Sequence, residues 1–100
     1  MEMNPDEFLY AEAQDNYTLI VRKKNKEVKE KVLRTTLSHV EEQLNAEVFM
    51  RCHRSYIINI KSDYKFKKVD NKGQVKHAEF EFLIPVSRSK EKIIKEALKD

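Results

Sequence analysis

The run at residues 56–60, Tyr-Ile-Ile-Asn-Ile, most limits the folds open to this chain. Its β-branched and aromatic side chains read as a buried strand. Directly ahead of it, within residues 49–55, Arg51, His53 and Arg54 pack three nitrogen-bearing side chains into four positions. A cationic turn on the end of a rigid strand holds charged groups out towards a partner. A solvated loop entering a core strand is the plainer reading, and spacing alone leaves both open.

The rest of the chain supplies further strands. Residues 8–13 read as a short strand and residues 17–22, Tyr-Thr-Leu-Ile-Val-Arg, as a stronger one. Residues 28–33 read as a third. Gln14-Asp15-Asn16 and Lys23-Lys24-Asn25-Lys26 are the turns between them, so the three make a meander. Thr35 or Thr36 is placed to cap a helix. Leu37, Val40 and Leu44 follow at helical spacing, which predicts an amphipathic helix of roughly two to three turns, stopped by Asn45. Val48 and Phe49 are expected to pack back onto the sheet.

Residues 64–69 and 77–84 both alternate apolar with charged side chains and predict a hairpin. Its turn is expected at Asn71-Lys72-Gly73, with Gly73 at positive φ. Lys65 and Lys67 are expected to meet Glu79 and Glu81 across the outer face. Pro85 then forces an edge or a bend. Ser89 is expected to cap a final helix with an apolar stripe of Ile93, Ile94, Ala97 and Leu98. The fold class is mostly β with two short helices.

One hundred residues suit one domain with a modest core. The net charge of +3 hides an asymmetry. The first 20 residues hold five acids and no Lys or Arg, so residues 21–100 set all 20 basic residues against 12 acids, a net of +8. A basic domain favours phosphate polyanions. The single cysteine, Cys52, excludes an internal disulfide and fits a reducing cytoplasm. No apolar run approaches the ~20 residues of a membrane helix. Residues 1–7 lack the cationic and apolar regions of a signal peptide and read as a frayed start.

No catalytic constellation can be assembled, so an enzyme is not expected. His39, His53 and His77 are too far apart in sequence for a local metal site, and one glycine cannot build a phosphate loop. Cys52 and His53 are strand neighbours that point to opposite faces, a poor nucleophile and base pair. Cys52 reads as a small buried residue. No cofactor is implied. Binding is better supported. Three turns carry polar or basic side chains at strand ends: Gln14 with Asn16 and Tyr17, Arg51 with Arg54, and Ser87 with Arg88 and Lys90. Arg suits bidentate contact with phosphate or guanine, and Asn and Gln suit adenine. His53 reads first as a structural residue. Asp15 would repel a phosphate unless turned away.

These residues, in this order, resemble the LytTR family, the DNA-binding domains of bacterial response regulators of the LytR, AlgR and AgrA type. The resemblance rests on residues 8–17, on 37–44, on the Phe, Arg-x-His-Arg-Ser and Ile-Asn pattern of 49–59, and on Ile-Pro-Val-Ser-Arg at 84–88. It implies an elongated arrangement of small antiparallel sheets, with strand-end loops rather than a recognition helix entering successive major grooves of double-stranded DNA. By position, it places the first contact loop at Asn16 and Tyr17, the second at Arg54, and the third at Arg88 with Ser87 and Lys90 near it. It also implies paired direct repeats as the target and a receiver or membrane sensor module in the full-length protein. Family domains open with one or two strands before the residue 8–17 block. Only residues 1–7 stand there, so the chain reads as an excised fragment or a shortened variant. An open sheet edge would then pair with another copy to give a homodimer.

Two other functions compete with sequence-specific DNA binding. One is a protein-interaction module that uses the basic turns and an open sheet edge. The other is single-stranded nucleic-acid binding through Tyr17, Tyr56 and Tyr64, which needs at least two of those rings exposed on one face.

Overall fold

The computed structural model describes residues 4–99. Residues 1–3, part of the start expected to be frayed, lie outside that range. Residues Pro5–Glu7 form one 3-10 turn capped by the Asn4 side chain. Strands β1 (Phe8–Gln14), β2 (Tyr17–Lys24) and β3 (Glu27–Leu33) form the meander. Helix α1 (Leu37–Glu42) follows, then β4 (Phe49–His53) and β5 (Tyr56–Asn59). A second group is β6 (Tyr64–Val69), β7 (Lys72–His77) and β8 (Leu83–Pro85), followed by a 3-10 turn at Arg88–Lys90 and helix α2 (Glu91–Ala97). The strands build a five-stranded sheet A in the order β3-β2-β1-β5-β4 and a three-stranded sheet B in the order β6-β7-β8. Every pairing is antiparallel. The mostly β class with two short helices is therefore the observed one. The molecule measures 34 × 29 × 23 Å, its longest axis half as long again as its shortest.

The central strands of sheet A are buried on both faces, which is why β1, β2 and β5 carry apolar residues at consecutive positions, whereas the edge strand β3 is exposed. On one face α1 lays Leu37 and Val40 over Phe8, Ala11, Ile20 and Ile57. On the other, Ile58 and Cys52 meet Val75, Ile84 and Ile94 from sheet B and α2. Leu9, Leu19 and Val21 extend that second face under Phe80 and Phe82.

The turns follow backbone chemistry. Asn25 and Lys26 both have positive φ, at 52° and 66°, and close the β2–β3 hairpin in two residues. Asp70 and Asn71, at 53° and 65°, do the same between β6 and β7. The predicted turn at Asn71-Lys72-Gly73 is thus one step late. Gly73 lies in β7 without positive φ. Its lack of a side chain is explained by packing, since a Cβ there would stand 2.9 Å from the Glu91 carboxylate.

Other expectations need correction. Thr36 is the cap of α1, its hydroxyl accepting from the His39 N–H at 3.1 Å. The helix runs only six residues, and Leu44 packs from beyond its end. Asn45 then turns the chain, its carbonyl accepting from the Val48 and Phe49 N–H groups. Ser89 caps nothing: α2 grows out of the Arg88–Lys90 turn, whose backbone satisfies the first donors. Ile93 is 47% exposed and leaves Ile94 as the buried residue of α2. Glu79 and Glu81 fall after β7 has ended, so they do not face Lys65 and Lys67. Glu79 instead pairs with Lys23 at 2.8 Å, and the residue opposite Lys65 is Lys76.

Candidate nucleic-acid interface

Antiparallel pairing gathers three predicted turns at one end of the molecule. Glu12 lies opposite Tyr56, and the Ala13 N–H donates to the Ser55 carbonyl at 2.9 Å. The Asp15–Asn16 turn therefore stands beside the Arg54–Ser55 turn. The step between Arg51 and His53 carries a register shift that leaves Cys52 out of the ladder. Its freed carbonyl accepts from the Ser87 N–H at 2.9 Å, which brings the Arg88–Lys90 turn alongside.

The first turn exposes Asn16 and leaves Tyr17 42% exposed. Asp15, the acid that looked out of place on a phosphate-facing surface, has φ of 53°, a conformation that Asp and Asn tolerate better than most residues.

The second stretch is not the free cationic turn that the sequence suggested. Arg51 lies within β4, and its guanidinium turns back on its own hairpin. Nε donates to the His53 carbonyl at 3.1 Å and Nη2 to the Arg54 carbonyl at 2.6 Å. Nη1 donates to Glu41 at 2.7 Å. His53 has the structural role expected of it. Its Nδ1 accepts from the Ser55 N–H at 3.1 Å, and burial, reinforced by the cations of Arg54 and Arg51, holds its pKa below 6.5. Arg54 is exposed, and its side chain has no ion pair among the described residues.

In the third turn Arg88 is exposed and likewise without an ion pair among the described residues, while Ser87 and Lys90 are half-buried. A crevice of about 220 Å³ joins this turn to the second, lined among others by His53, Ser87, Arg88 and Glu91. Asn71 and Lys72, at the tip of the β6–β7 hairpin, line it as well.

Sequence reasoning missed two neighbours of this end. Arg34 is exposed directly after β3, whose last residue pairs with Thr18. Lys72 adjoins the third turn because the Val86 N–H donates to the Gly73 carbonyl at 3.0 Å. Only the strand order reveals either. The stacking arrangement is not met, since Tyr64 is 5% exposed and its hydroxyl donates to the buried Leu9 carbonyl at 2.9 Å. Tyr56 is half-buried against His53. Among the described residues, no three His, Cys, Asp or Glu side chains are grouped to hold a metal ion, and no helix is long and apolar enough to cross a membrane.

Residues 1–99 match the family model described as the LytTr DNA-binding domain. Among solved structures, the chain is similar to one described as the LytTr DNA-binding domain of a methyl-accepting/DNA response regulator from Bacillus cereus. The two are 21% identical with a TM-score of 0.78, and the match covers all of this chain and 88% of the other. At that identity the likeness establishes the shared fold.

Proposed function

The chain belongs to the LytTR family of DNA-binding domains, and from that premise we propose that it reads double-stranded DNA sequence-specifically through the strand-end turns at Asn16–Tyr17, Arg54 and Arg88. Its setting is the output domain of a bacterial, cytoplasmic transcription regulator, joined to a receiver or membrane sensor module. Two copies occupy a pair of direct repeats.

One observation carries this reading. Arg54 and Arg88 stand exposed, without ion pairs among the described residues, on turns locked to the same sheet end, while Arg51 is consumed in holding the second turn. An exposed guanidinium keeps its full fork for guanine O6 and N7. Ser87 and Lys90 supply phosphate contacts beside Arg88. Arg51 acts on DNA through the turn that it positions.

The test is fluorescence anisotropy on a duplex selected from random sequence and on a scrambled duplex, across a salt series. A selective advantage that persists as salt rises is expected, because base contacts depend less on counterion release than phosphate contacts do. Arg88→Ala is expected to cost about 1–3 kcal/mol on the selected duplex alone. Equal binding to both duplexes, vanishing together with salt, would reduce the surface to a general cationic one and favour the protein-interaction reading.

A further inference from the structure

The outward face of sheet B is a second charged surface. Side chains alternate along β6 and β7, so Tyr64, Phe66, Val75 and His77 turn inward. Lys65, Lys67, Lys72 and Lys76 turn outward, and all four are exposed. No Asp or Glu occupies a strand position on this face, whose other members are Val69, Gln74, Leu83 and Pro85. Among the described residues none of the four lysines has an ion pair, whereas Lys23, Lys29 and Lys68 each do. Lys65 and Lys76 stand directly opposite each other, a like-charge pairing that works against the sheet. No acidic side chain among the described residues neutralises this row.

The row is continuous with the candidate interface. Lys72 lines the crevice shared by His53 and Arg88. The hairpin is also tied to the third turn, because Glu91 packs on Gly73 and pairs with Lys68 at 3.3 Å. From Lys72 to Lys76 the track runs about 13 Å along β7, at ~3.3 Å per residue. Laid parallel to a duplex axis, that length spans about four base-pair steps at ~3.4 Å each.

We propose that Lys65, Lys67, Lys72 and Lys76 form a phosphate track that holds duplex DNA flanking the bases contacted by the turns. The track rests on the DNA-binding reading above and extends it: the turns select the sequence, and the sheet face adds affinity that carries no sequence information. Lysine suits this role, being a mobile point charge without a fork for bases.

The experiment compares a short duplex limited to the selected site with one extended by about one helical turn, ~10 base pairs, on each side. The unmodified protein should bind the extended duplex more tightly and with a steeper salt dependence. Replacing the four lysines together by glutamine should abolish that gain and lower the log–log salt slope by roughly one for each phosphate no longer neutralised. Preference for the selected sequence should survive. Arg88→Ala should do the reverse, losing preference while keeping the gain from the flanks. Lys72→Glu alone should weaken binding to the extended duplex, and an unchanged thermal midpoint would show that the fold is intact. If the four-glutamine protein binds the extended duplex as the unmodified protein does, the track is refuted, and an acidic protein or membrane surface becomes its partner class. If Arg88→Ala also changes nothing on either duplex, the DNA-binding reading itself fails.

Discussion

The Arg51 guanidinium donates to the Arg54 backbone carbonyl at 2.6 Å, so the arginine inside the strand fixes the backbone of the arginine at its tip. The same group holds the His53 carbonyl and the Glu41 carboxylate, tying α1 to the hairpin. Hydrogen bonds from a charged donor contribute more than neutral ones. Arg51→Ala is therefore expected to lower unfolding stability by about 1–2 kcal/mol. It should also reduce selectivity for the chosen duplex although Arg54 is still present. Arg51→Lys should recover only part, lacking the fork. Glu41→Gln should stay within about 1 kcal/mol, since the Glu41 side chain is 45% exposed and solvent screens the pair. Urea unfolding of the three variants, with anisotropy on both duplexes, checks this. Full stability and selectivity in Arg51→Ala would remove the positioning role.

Asn59 does comparable work at the opposite end of β5. Its Nδ2 donates to the Phe8 carbonyl at 2.8 Å and to the Pro5 carbonyl at 3.0 Å, while its Oδ1 accepts from the Lys61 N–H at 2.9 Å. The residue is 3% exposed, so truncation strands backbone groups away from water. Asn59→Ala is expected to cost about 2–4 kcal/mol in urea unfolding. Asn59→Asp should do no better, because a carboxylate cannot donate to the two carbonyls. A loss below about 0.5 kcal/mol, the range of ordinary surface substitutions, would count against this account.

His77 makes stability depend on pH. Its Nδ1 accepts from the Glu79 and Phe80 N–H groups at 3.1 and 3.3 Å, which places its proton on Nε2 towards the Ser62 hydroxyl at 2.8 Å. A second proton would have to enter on Nδ1, against two donors. Burial lowers the pKa from 6.5, outweighing the opposing pull of Glu79 and Asp63. The unfolded chain then binds the extra proton more readily than the folded one. Stability from this source is complete above the ordinary value of 6.5 and declines as pH falls through 6.5 towards the lower folded value. His53, also shifted downward, adds in the same direction. Thermal midpoints from pH 8 down to pH 5 should fall, and His77→Gln should show a shallower fall from a lower starting point. Parallel pH profiles for the two proteins would rule His77 out as a source.

Much of the fold was legible because the strands carry their own punctuation. The first three runs, separated by Asp15-Asn16 and Asn25-Lys26, form the β1–β2–β3 meander within a residue or two. The last hairpin misled because alternation at Phe80 and Phe82 continues past the end of β7. Those rings follow the packing demand of Leu9, Leu19 and Val21 rather than a ladder. The hairpin turn slipped because one glycine stood out, whereas Asp70 and Asn71 supply positive φ and Gly73 serves Glu91. At the candidate interface, local chemistry singled out Arg51, Arg54 and Arg88 alike. What separates the first from the others is two carbonyls of its own turn, reached only once the hairpin has folded, and Glu41 on α1, a contact that depends on where a helix ten residues earlier docks. The lysine row of sheet B was hidden for a related reason, since its expected partners are drawn away by Lys23 and by the end of the strand.

Cys52 provides a probe of the whole arrangement. It is fully buried, with Sγ 3.8 Å from the Tyr56 carbonyl and 3.7 Å from the Pro85 carbonyl, between the two sheets. Burial pushes its pKa up to about 12, despite the opposing influence of its backbone hydrogen bond and of Arg51. The thiolate is the reactive species, so the native thiol is doubly protected, by access and by protonation. A chromogenic disulfide reagent at pH 8 is expected to label the folded protein only through opening. The rate should rise with urea in step with the unfolded population whenever reclosing is faster than labelling. Arg51→Ala, which loosens the strand carrying Cys52, should label faster at the same pH. Immediate stoichiometric labelling of the native protein would mean that the seam between the sheets is open in solution, and the packing that sets Arg88 beside His53 would have to be redrawn.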